Sequence, residues 1–416
     1  MSTLHQPFTP HRRLSAAALV DERAPIGVDG FFQPRRAAFW LYVFFLANGV
    51  FSMVSNFTLG FRIVPAAVVF ATLLWTLYAV PFLLFFRSLD LFEQHPPLGF
   101  AMAFGWGGFA ACYLALPVNS AVQSLSAKLF GPQFTAEWGP ALAGPINEEL
   151  LKLLGVVVLI MIARTQFRTI LSVVVVGAMI GLGFQIVEDL LYSVNTAIQF
   201  PYANQIAPVG LMFLVRGVIT GIWSHALYTS VAAFGIGYFV TRRHEPLIRR
   251  TAVAVGAFAL AWSMHFFWNS PWLQDIGGGG VGGMVVLSLV KGLPILAVGY
   301  LLWKLAGREE GTQIRAVADH YLDDDLMTPE ERDALGSLHA RRHLRTHMKR
   351  THGRKAARTL HRLQRAQLHL IRVCEENGTG LPAARAAQDV TALRADLAAT
   401  THTPATTGAA AAPIAG

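Results

Sequence analysis

The 416-residue chain is 53% hydrophobic and 14% charged, whereas a water-soluble globular protein carries about 25% charged residues. This composition excludes an ordinary soluble enzyme, and the presence of only two cysteines excludes a disulfide framework and a cysteine-based zinc finger. The net charge of +9 arises mostly in the flanks 1–37 and 304–416, so it indicates membrane topology, and we expect no nucleic-acid partner.

Eight apolar stretches are long enough to cross a membrane, since a spanning helix needs about 20 mostly apolar residues. They are continuous runs without two-residue alternation, which predicts helices. In chain order the predicted spans are Phe39–Phe57, Ile63–Phe86, Leu98–Val118, Pro140–Ala163, Ile170–Tyr192, Leu211–Val240, Thr251–Asn269 and Val281–Trp303. We therefore predict an all-α polytopic membrane protein whose membrane domain covers residues 38–303.

The positions of Lys and Arg in the loops predict the orientation, because short cytoplasmic loops carry an excess of both residues. The segment 1–37 and alternate loops are rich in arginine, whereas the loop Pro271–Gly280 contains neither Lys nor Arg. We expect both termini in the cytoplasm, with residues 1–37 forming a cytoplasmic N-terminal segment.

The polar sequence after the last span is predicted to form a cytoplasmic basic helical tail over residues 304–397. The run Thr328–Glu331 is typical of a helix start. The segment Arg341–Arg365 contains many Lys and Arg residues and no acidic residue. Such a helix is attracted to anionic lipids of the inner leaflet by about 1 kcal/mol per charge; a simply solvated helix is the alternative. Residues 398–416, rich in Ala, Thr, Pro and Gly, are predicted to be disordered.

Several spans contain polar residues that lipid should exclude. They are Glu148, Glu149 and Lys152 in the fourth span, Glu188 in the fifth, His225 in the sixth, and His265 and Asn269 in the seventh. A charge near the bilayer centre costs about 2.5–3.5 kcal/mol, so these residues should face one another or a wet cavity. The helical rise of about 1.5 Å per residue places the carboxylates and imidazoles at one depth below the predicted outer face.

This set of side chains suits metal-assisted or carboxylate-assisted hydrolysis. Two imidazoles and up to three carboxylates, without a thiolate, are ligands that Zn²⁺ or another divalent metal accepts, with water in an open position. One carboxylate could instead act as a general base toward water. A hydrogen bond between helices is the alternative for either histidine alone.

Four motifs occur in order, each on its own predicted span. They are PINEELLK at Pro145–Lys152, GFQIVEDLLY at Gly183–Tyr192, HALYT at His225–Thr229 and HFFWN at His265–Asn269. Together they resemble the PrsW family of intramembrane metalloproteases, over about residues 38–303. The resemblance implies a membrane-embedded peptidase in which the paired glutamates and the histidines are essential. The best known member of the family makes the first cut in an anti-sigma factor on the extracytoplasmic side.

We therefore predict a peptidase of the bacterial plasma membrane that hydrolyses a peptide bond of a membrane-anchored protein near the outer leaflet, with an anti-sigma factor as one such substrate. A proton-coupled transporter, in which buried Glu, His and Lys form a relay, is the alternative. A third hypothesis is a catalytically inert membrane scaffold whose basic tail recruits partners.

The predicted site residues have separate roles. The predicted catalytic residues are Glu148, Glu149, Asn269 and Lys152, and the predicted zinc ligands are His225, His265 and Glu188. One glutamate would activate water, with Glu148 favoured, and Lys152 would keep the glutamate pair partly ionised. Asn269 would orient the substrate carbonyl or donate to the oxyanion. Without metal, the three ligand residues would position the water instead.

Overall fold

A computed structural model describes residues 29–90, 95–200, 204–276 and 278–402. Within these ranges the regular elements are all helical, which confirms the predicted all-α class. The chain divides into two compact units, which we call the membrane unit, Val28–Ala306, and the tail unit, containing Gly307–Gly416. Most of the predicted N-terminal segment, and residues 403–416 of the predicted disordered segment, lie outside the described residues.

Ten helices begin within the membrane unit, counting only the described residues. They are α1 (Ala37–Ile63), α2 (Pro65–Leu89), α3 (Pro97–Gly105), α4 (Cys112–Phe130), α5 (Pro132–Ile162), α6 (Ile170–Gln199), α7 (Ile206–Met212), α8 (His225–Thr241), α9 (Leu247–Asn269) and α10 (Gly280–Tyr321). A π-helical segment, Trp106–Ala111, joins α3 to α4 without a break. The last residues of α10 belong to the tail unit.

Six of these helical segments are long and apolar enough to cross a membrane, and a seventh is obtained if a bent pair counts as one span. The bent pair is Ile206–Ile219 with Gly221–Thr241, at an angle of 57°. The remaining predicted span, the fourth (Pro140–Ala163), corresponds to α5, which contains the paired glutamates and is not among the six. The count of eight and the cytoplasmic position of the termini stay predictions.

The bend corrects the prediction of one continuous helix over Leu211–Val240. The helix breaks at Thr220, and a short 3-10 helix, Gly221–Trp223, follows; a Cβ atom at Gly221 would collide with the hydroxyl of Tyr78. Backbone carbonyls near the break find side-chain donors: Tyr78 donates to Gly217 O at 2.9 Å, and Gln185 donates to Gly221 O at 3.2 Å. Such compensation is required where backbone leaves a helix inside a membrane protein. As a result, His225 becomes the first residue of α8.

Helix α6 is the central element of the membrane unit and is buried over its whole apolar length. A helix that is apolar all round is expected at the centre of a bundle. Its small residues let α8 approach closely, and a Cβ atom at Gly181 would collide with the backbone of His225. This close packing places the start of α8 beside the carboxylates of α6.

The tail unit contains α11 (Pro329–Leu335), α12 (Leu338–Asn377) and α13 (Leu381–His402). The helix start predicted at Thr328 is confirmed, since Thr328 and Glu331 form a reciprocal capping box. Helix α12 is interrupted at Gly353, which has a φ of 84°. Because α13 ends at His402, the first residues of the segment predicted to be disordered are helical.

Candidate functional site

Helix α5 contributes three buried ionisable side chains to the site, namely Glu148, Glu149 and Lys152. Residues three and four apart share one face of a helix. Accordingly, Lys152 Nζ lies 2.6 Å from Glu149 Oε1 and 4.0 Å from Glu148 Oε2. The lysine therefore compensates part of the carboxylate charge that would otherwise be costly in a membrane.

Glu149 is fully buried, and both of its oxygens are engaged by neighbouring donors. Oε1 accepts a hydrogen bond from Lys152 and lies 2.9 Å from Nδ1 of His265, while Oε2 accepts one from the hydroxyl of Thr229 at 3.3 Å. A carboxylate surrounded in this way holds its neighbours in place. The contacts give Glu149 a positioning role.

Glu148 has a different environment, although it is the adjacent residue. Its Oε1 accepts a hydrogen bond from Asn119 at 2.8 Å, whereas its buried Oε2 has no hydrogen-bond partner among the described residues. That oxygen lies 3.8 Å from Nδ1 of His225 and 4.0 Å from Nε2 of His265. Glu148 thus offers one unsatisfied carboxylate oxygen to the space between two imidazoles.

Each histidine is oriented by a carboxylate through one ring nitrogen. Nδ1 of His265 faces Glu149, and Nε2 of His225 lies 3.0 Å from Oε2 of Glu188. Because an ionised carboxylate only accepts hydrogen bonds, these nitrogens are assigned the ring protons, and the opposite nitrogens carry lone pairs. The lone pair of His225 Nδ1 accepts a hydrogen bond from Lys152 Nζ at 2.9 Å.

Arg216 is a site residue that the sequence reasoning did not assign. It lies in the π-helical segment Phe213–Ile219, donates to Glu188 Oε2 at 2.6 Å, and also pairs with Asp189. Its guanidinium stacks over the ring of Tyr192 at 4.1 Å. An arginine inside an otherwise apolar run was the signal that could have found it.

Asn269 is the last residue of α9 and lies at the cavity wall. Its side chain donates to Pro140 O at 3.2 Å. Lys291 of α10 is buried and donates to Trp268 O at 3.2 Å and to Ser270 O at 2.6 Å. The lysine thereby donates to carbonyl groups at the end of α9, where the last carbonyls of a helix have no N–H donors within the helix.

These side chains surround a cavity of about 290 Å³. Its lining residues are Asn119, Gln123, Pro140, Gly144, Glu148, Glu188, Asp189, Tyr192, Arg216, Thr220, Ser224, His225, Tyr228, His265, Trp268 and Asn269. Five of the seven predicted site residues therefore line one space. Glu149 and Lys152 lie behind this wall, in contact with residues that form it.

The donor atoms fit a divalent metal ion in type and closely in spacing. One ligand atom each from Glu148, His225 and His265 lies within 4.8 Å of the others. Tetrahedral zinc, with bonds of about 2.0–2.2 Å, separates its ligand atoms by about 3.3–3.6 Å. The observed separations of 3.8 and 4.0 Å are slightly wider. A metal would compete with Lys152 for the lone pair of His225.

Glu188, predicted as a ligand, is not a member of this group of three. Its contacts with His225 and Arg216 are those of a residue that orients a metal-binding histidine.

The charge balance of the cluster also favours a cation. The carboxylates are Glu148, Glu149, Glu188 and Asp189, and the permanent cations are Lys152 and Arg216. With neutral imidazoles and ionised carboxylates, negative charge is in excess by two. Buried charge is stable only when it is compensated. A divalent cation would supply the missing charge at the unsatisfied oxygen of Glu148.

Residues 95–298 match the sequence model of the family described as PrsW family intramembrane metalloprotease. This part of the chain belongs to the PrsW family. The PrsW segment covers the residues of the cavity, whereas α1 and α2 precede it. No curated protein and no solved structure matches the chain. The family match indicates a membrane-embedded peptidase and favours hydrolysis over the alternative of a transporter.

Proposed function

We propose that the PrsW segment hydrolyses a peptide bond of a membrane-anchored protein, with the reaction taking place in the cavity beside Glu148. The observation that carries this proposal is the unsatisfied, buried Oε2 of Glu148, which lies 3.8 and 4.0 Å from two imidazole nitrogens. Hydrolysis needs a proton acceptor for water and groups that stabilise the developing oxyanion. The cavity provides both within one space.

The residues that would hold zinc are Glu148, His225 and His265. A bound zinc ion would supply Lewis acidity toward water and the scissile carbonyl. Glu149 and Glu188 would fix the ring orientations of the two histidines through the opposite nitrogens. These roles use the predicted residues but give Glu188 a position behind the ligands.

The proton and the oxyanion would be handled by side chains of the cavity wall. Without zinc at Oε2, Glu148 would accept the water proton there, because its Oε1 is held by Asn119. Asn269 would turn its amide from Pro140 O to the substrate carbonyl and donate to the oxyanion. Lys152 would limit the build-up of negative charge as the reaction proceeds.

We further propose a bacterial plasma membrane location, with the site near the outer leaflet and an anti-sigma factor as one substrate. The arginine distribution of the loops and the family resemblance support this assignment. We also propose that the basic tail is attracted to anionic lipids of the inner leaflet. The run of basic residues in α12 supports that attraction.

The proposal is tested by measuring cleavage and metal content on the same samples. Full-length protein is purified in detergent as wild type, H225A and H265A, and reconstituted with a membrane-anchored reporter. H244A is the matched control, because His244 is exposed in the loop between α8 and α9. We expect stoichiometric zinc and cleavage in wild type and H244A, and loss of both in the other two variants. Cleavage that persists in both H225A and H265A contradicts the proposed function, and cleavage without bound metal contradicts the zinc assignment.

A further inference from the structure

Helix α12 changes direction at a single glycine. Gly353 has a φ of 84° and a ψ of 179°, a conformation that residues with a side chain rarely adopt. The residue is exposed, and a Cβ atom there would meet no neighbouring atom, so the backbone conformation alone favours glycine. The two parts of α12 therefore form separate helices that present side chains to one another near the turn.

A groove of about 400 Å³, which we call the kink groove, lies between these two parts. Its lining residues are Arg345, Lys349, Arg354, Ala357, Arg358 and His361. Two of the cations precede Gly353 and two follow it. The kink therefore brings together charges that a straight helix would separate. Every ionisable lining residue is basic.

The basic residues around the kink groove repel one another. The pKa of His361 is lowered by partial burial and by the nearby charges of Arg345, Arg365 and Arg341. The pKa of Arg345 is lowered by burial and by Arg342. Such repulsion remains where cations are held together without enough acidic partners. An anionic ligand would relieve it.

Arg341 lies close to the basic residues of the kink groove. It is buried, and its Nε and Nη2 atoms have no hydrogen-bond partner among the described residues. Burial lowers the pKa of Arg341 to about 10; the nearby Glu310 acts to raise this pKa, and Arg345 and Arg342 act to lower it. The surroundings of the groove thus contain guanidinium donors that the protein itself does not satisfy.

We propose that the kink groove binds a phosphate group, carried by an anionic lipid headgroup or by a soluble phosphate compound. Arginine presents planar pairs of N–H donors that match phosphate oxygens, and such charge-assisted hydrogen bonds are stronger than neutral ones. Three arginines and one lysine line a groove of about 400 Å³, which is large enough for a phosphate group. This site narrows the general attraction of the tail to anionic lipids and involves no step of peptide hydrolysis.

The test compares two pairs of arginines in the full-length protein. R354Q/R358Q removes two groove charges, and R350Q/R362Q removes two exposed charges of α12 outside the groove. Inorganic pyrophosphate and a short-chain phosphatidylglycerol are the two probes, titrated by calorimetry in detergent at one salt concentration. We expect at least one probe to bind wild type, with about tenfold weaker binding in R354Q/R358Q and about twofold weaker binding in R350Q/R362Q.

The outcomes separate a defined site from diffuse attraction. Selective loss of pyrophosphate binding identifies a soluble phosphate compound, and selective loss of lipid binding identifies a headgroup. Equal weakening by the two arginine pairs, or no binding of either probe to wild type, overturns the proposal. R354K/R358K keeps both positive charges, so it is the control for binding that is lost through misfolding in R354Q/R358Q. Binding weaker than wild type supports recognition by the planar guanidinium groups, whereas unchanged binding contradicts it.

Discussion

The cavity of the membrane unit and the kink groove of the tail unit differ in how their charged side chains are compensated. In the membrane unit, the buried Lys152 lies 2.6 Å from Glu149, and Arg216 lies 2.6 Å from Glu188. In the tail unit, the cations on either side of Gly353 face one another across a groove lined by basic groups. A buried charge must be compensated by its protein neighbours, whereas an exposed charge can be compensated by water or a ligand.

This difference shows which unsatisfied groups of each unit are available to bind a ligand. In the cavity of the membrane unit, one of the unsatisfied atoms is a carboxylate oxygen of Glu148, in a cluster rich in carboxylates. Beside the kink groove of the tail unit, the unsatisfied groups include guanidinium donors of Arg341. The first arrangement favours a cation and the second an anion. Substitutions that remove these groups should therefore affect different functions.

The largest effect is expected from E148Q in the membrane unit. Glutamine keeps the shape of the side chain and can still accept from Asn119, but it cannot take a proton from water. Loss of a general base lowers the rate of hydrolysis by about 10²–10⁴-fold. The cleavage rate of a membrane-anchored reporter is the measurement. Bound zinc should also fall, because Oε2 is proposed as a ligand.

The matched control for this prediction is E137Q, which makes the same chemical change at an exposed position of α5. E137Q should cleave at the wild-type rate. A rate for E148Q within about threefold of E137Q would contradict the role of Glu148. Retained zinc with lost cleavage would instead make Glu148 a base only and leave metal binding to the histidines.

The sequence identified the helices and the residue types of the site, because both depend on local patterns. Apolar runs of sufficient length predict helices wherever they occur, and α1, α2, α6 and α9 lie where such runs were found. A carboxylate inside such a run is also recognised from the local sequence alone, because lipid should exclude it. The helical rise per residue also placed the four motifs at one level without information on packing.

The sequence could not distinguish Glu148 from Glu149, since neighbouring residues of a helix point about 100° apart. Which one faces the cavity depends on how α5 is rotated against α8 and α9. The break before His225 and the turn at Gly353 depend on single glycines, which are weak signals in a sequence. The role of Arg216 could not be predicted, because its partner Glu188 belongs to another helix.

A second, smaller effect is expected from R216Q. Arg216 does not touch either imidazole, but it holds Glu188, which in turn orients His225. Loss of such a supporting contact typically lowers metal affinity or activity by about 10–100-fold. Zinc affinity, measured by competition with a chelator, should fall together with the cleavage rate. R216K should restore part of both, because it keeps the charge and loses the paired donors.

The control for this substitution is R249Q. Arg249 is exposed, lies near the start of α9 while His265 lies near its end, and pairs with Glu245. A purely structural role of Arg216 predicts a lower melting temperature for R216Q with unchanged zinc affinity per folded molecule, and that result would contradict the prediction.

A third effect, on the position of Asn269 and not on metal binding, is expected from K291M. The lysine holds the end of α9 through Trp268 O and Ser270 O, on either side of Asn269. Since a displacement of about 1 Å can lower a rate by up to 10²-fold, we expect kcat to fall by about tenfold with zinc content unchanged. K304M is the control, because Lys304 is an exposed residue of the same helix. Loss of zinc in K291M would show that the lysine supports the whole site rather than Asn269.

The smallest effect is expected in the tail unit, from T328A. Thr328 accepts from Glu331 N at 3.4 Å and donates its own N–H to Glu331 at 3.0 Å, and Arg394 of α13 donates to the same carboxylate at 2.6 Å. Removing the hydroxyl of such a cap costs about 1 kcal/mol, equivalent to about fivefold faster amide hydrogen exchange in α11. T328S keeps the hydroxyl and should exchange as wild type does. Reporter cleavage should be the same in both variants, because every residue that lines the cavity belongs to the membrane unit. A loss of cleavage in T328A but not in T328S would show that the tail controls the site, and the separation of the two units by charge would then be incomplete.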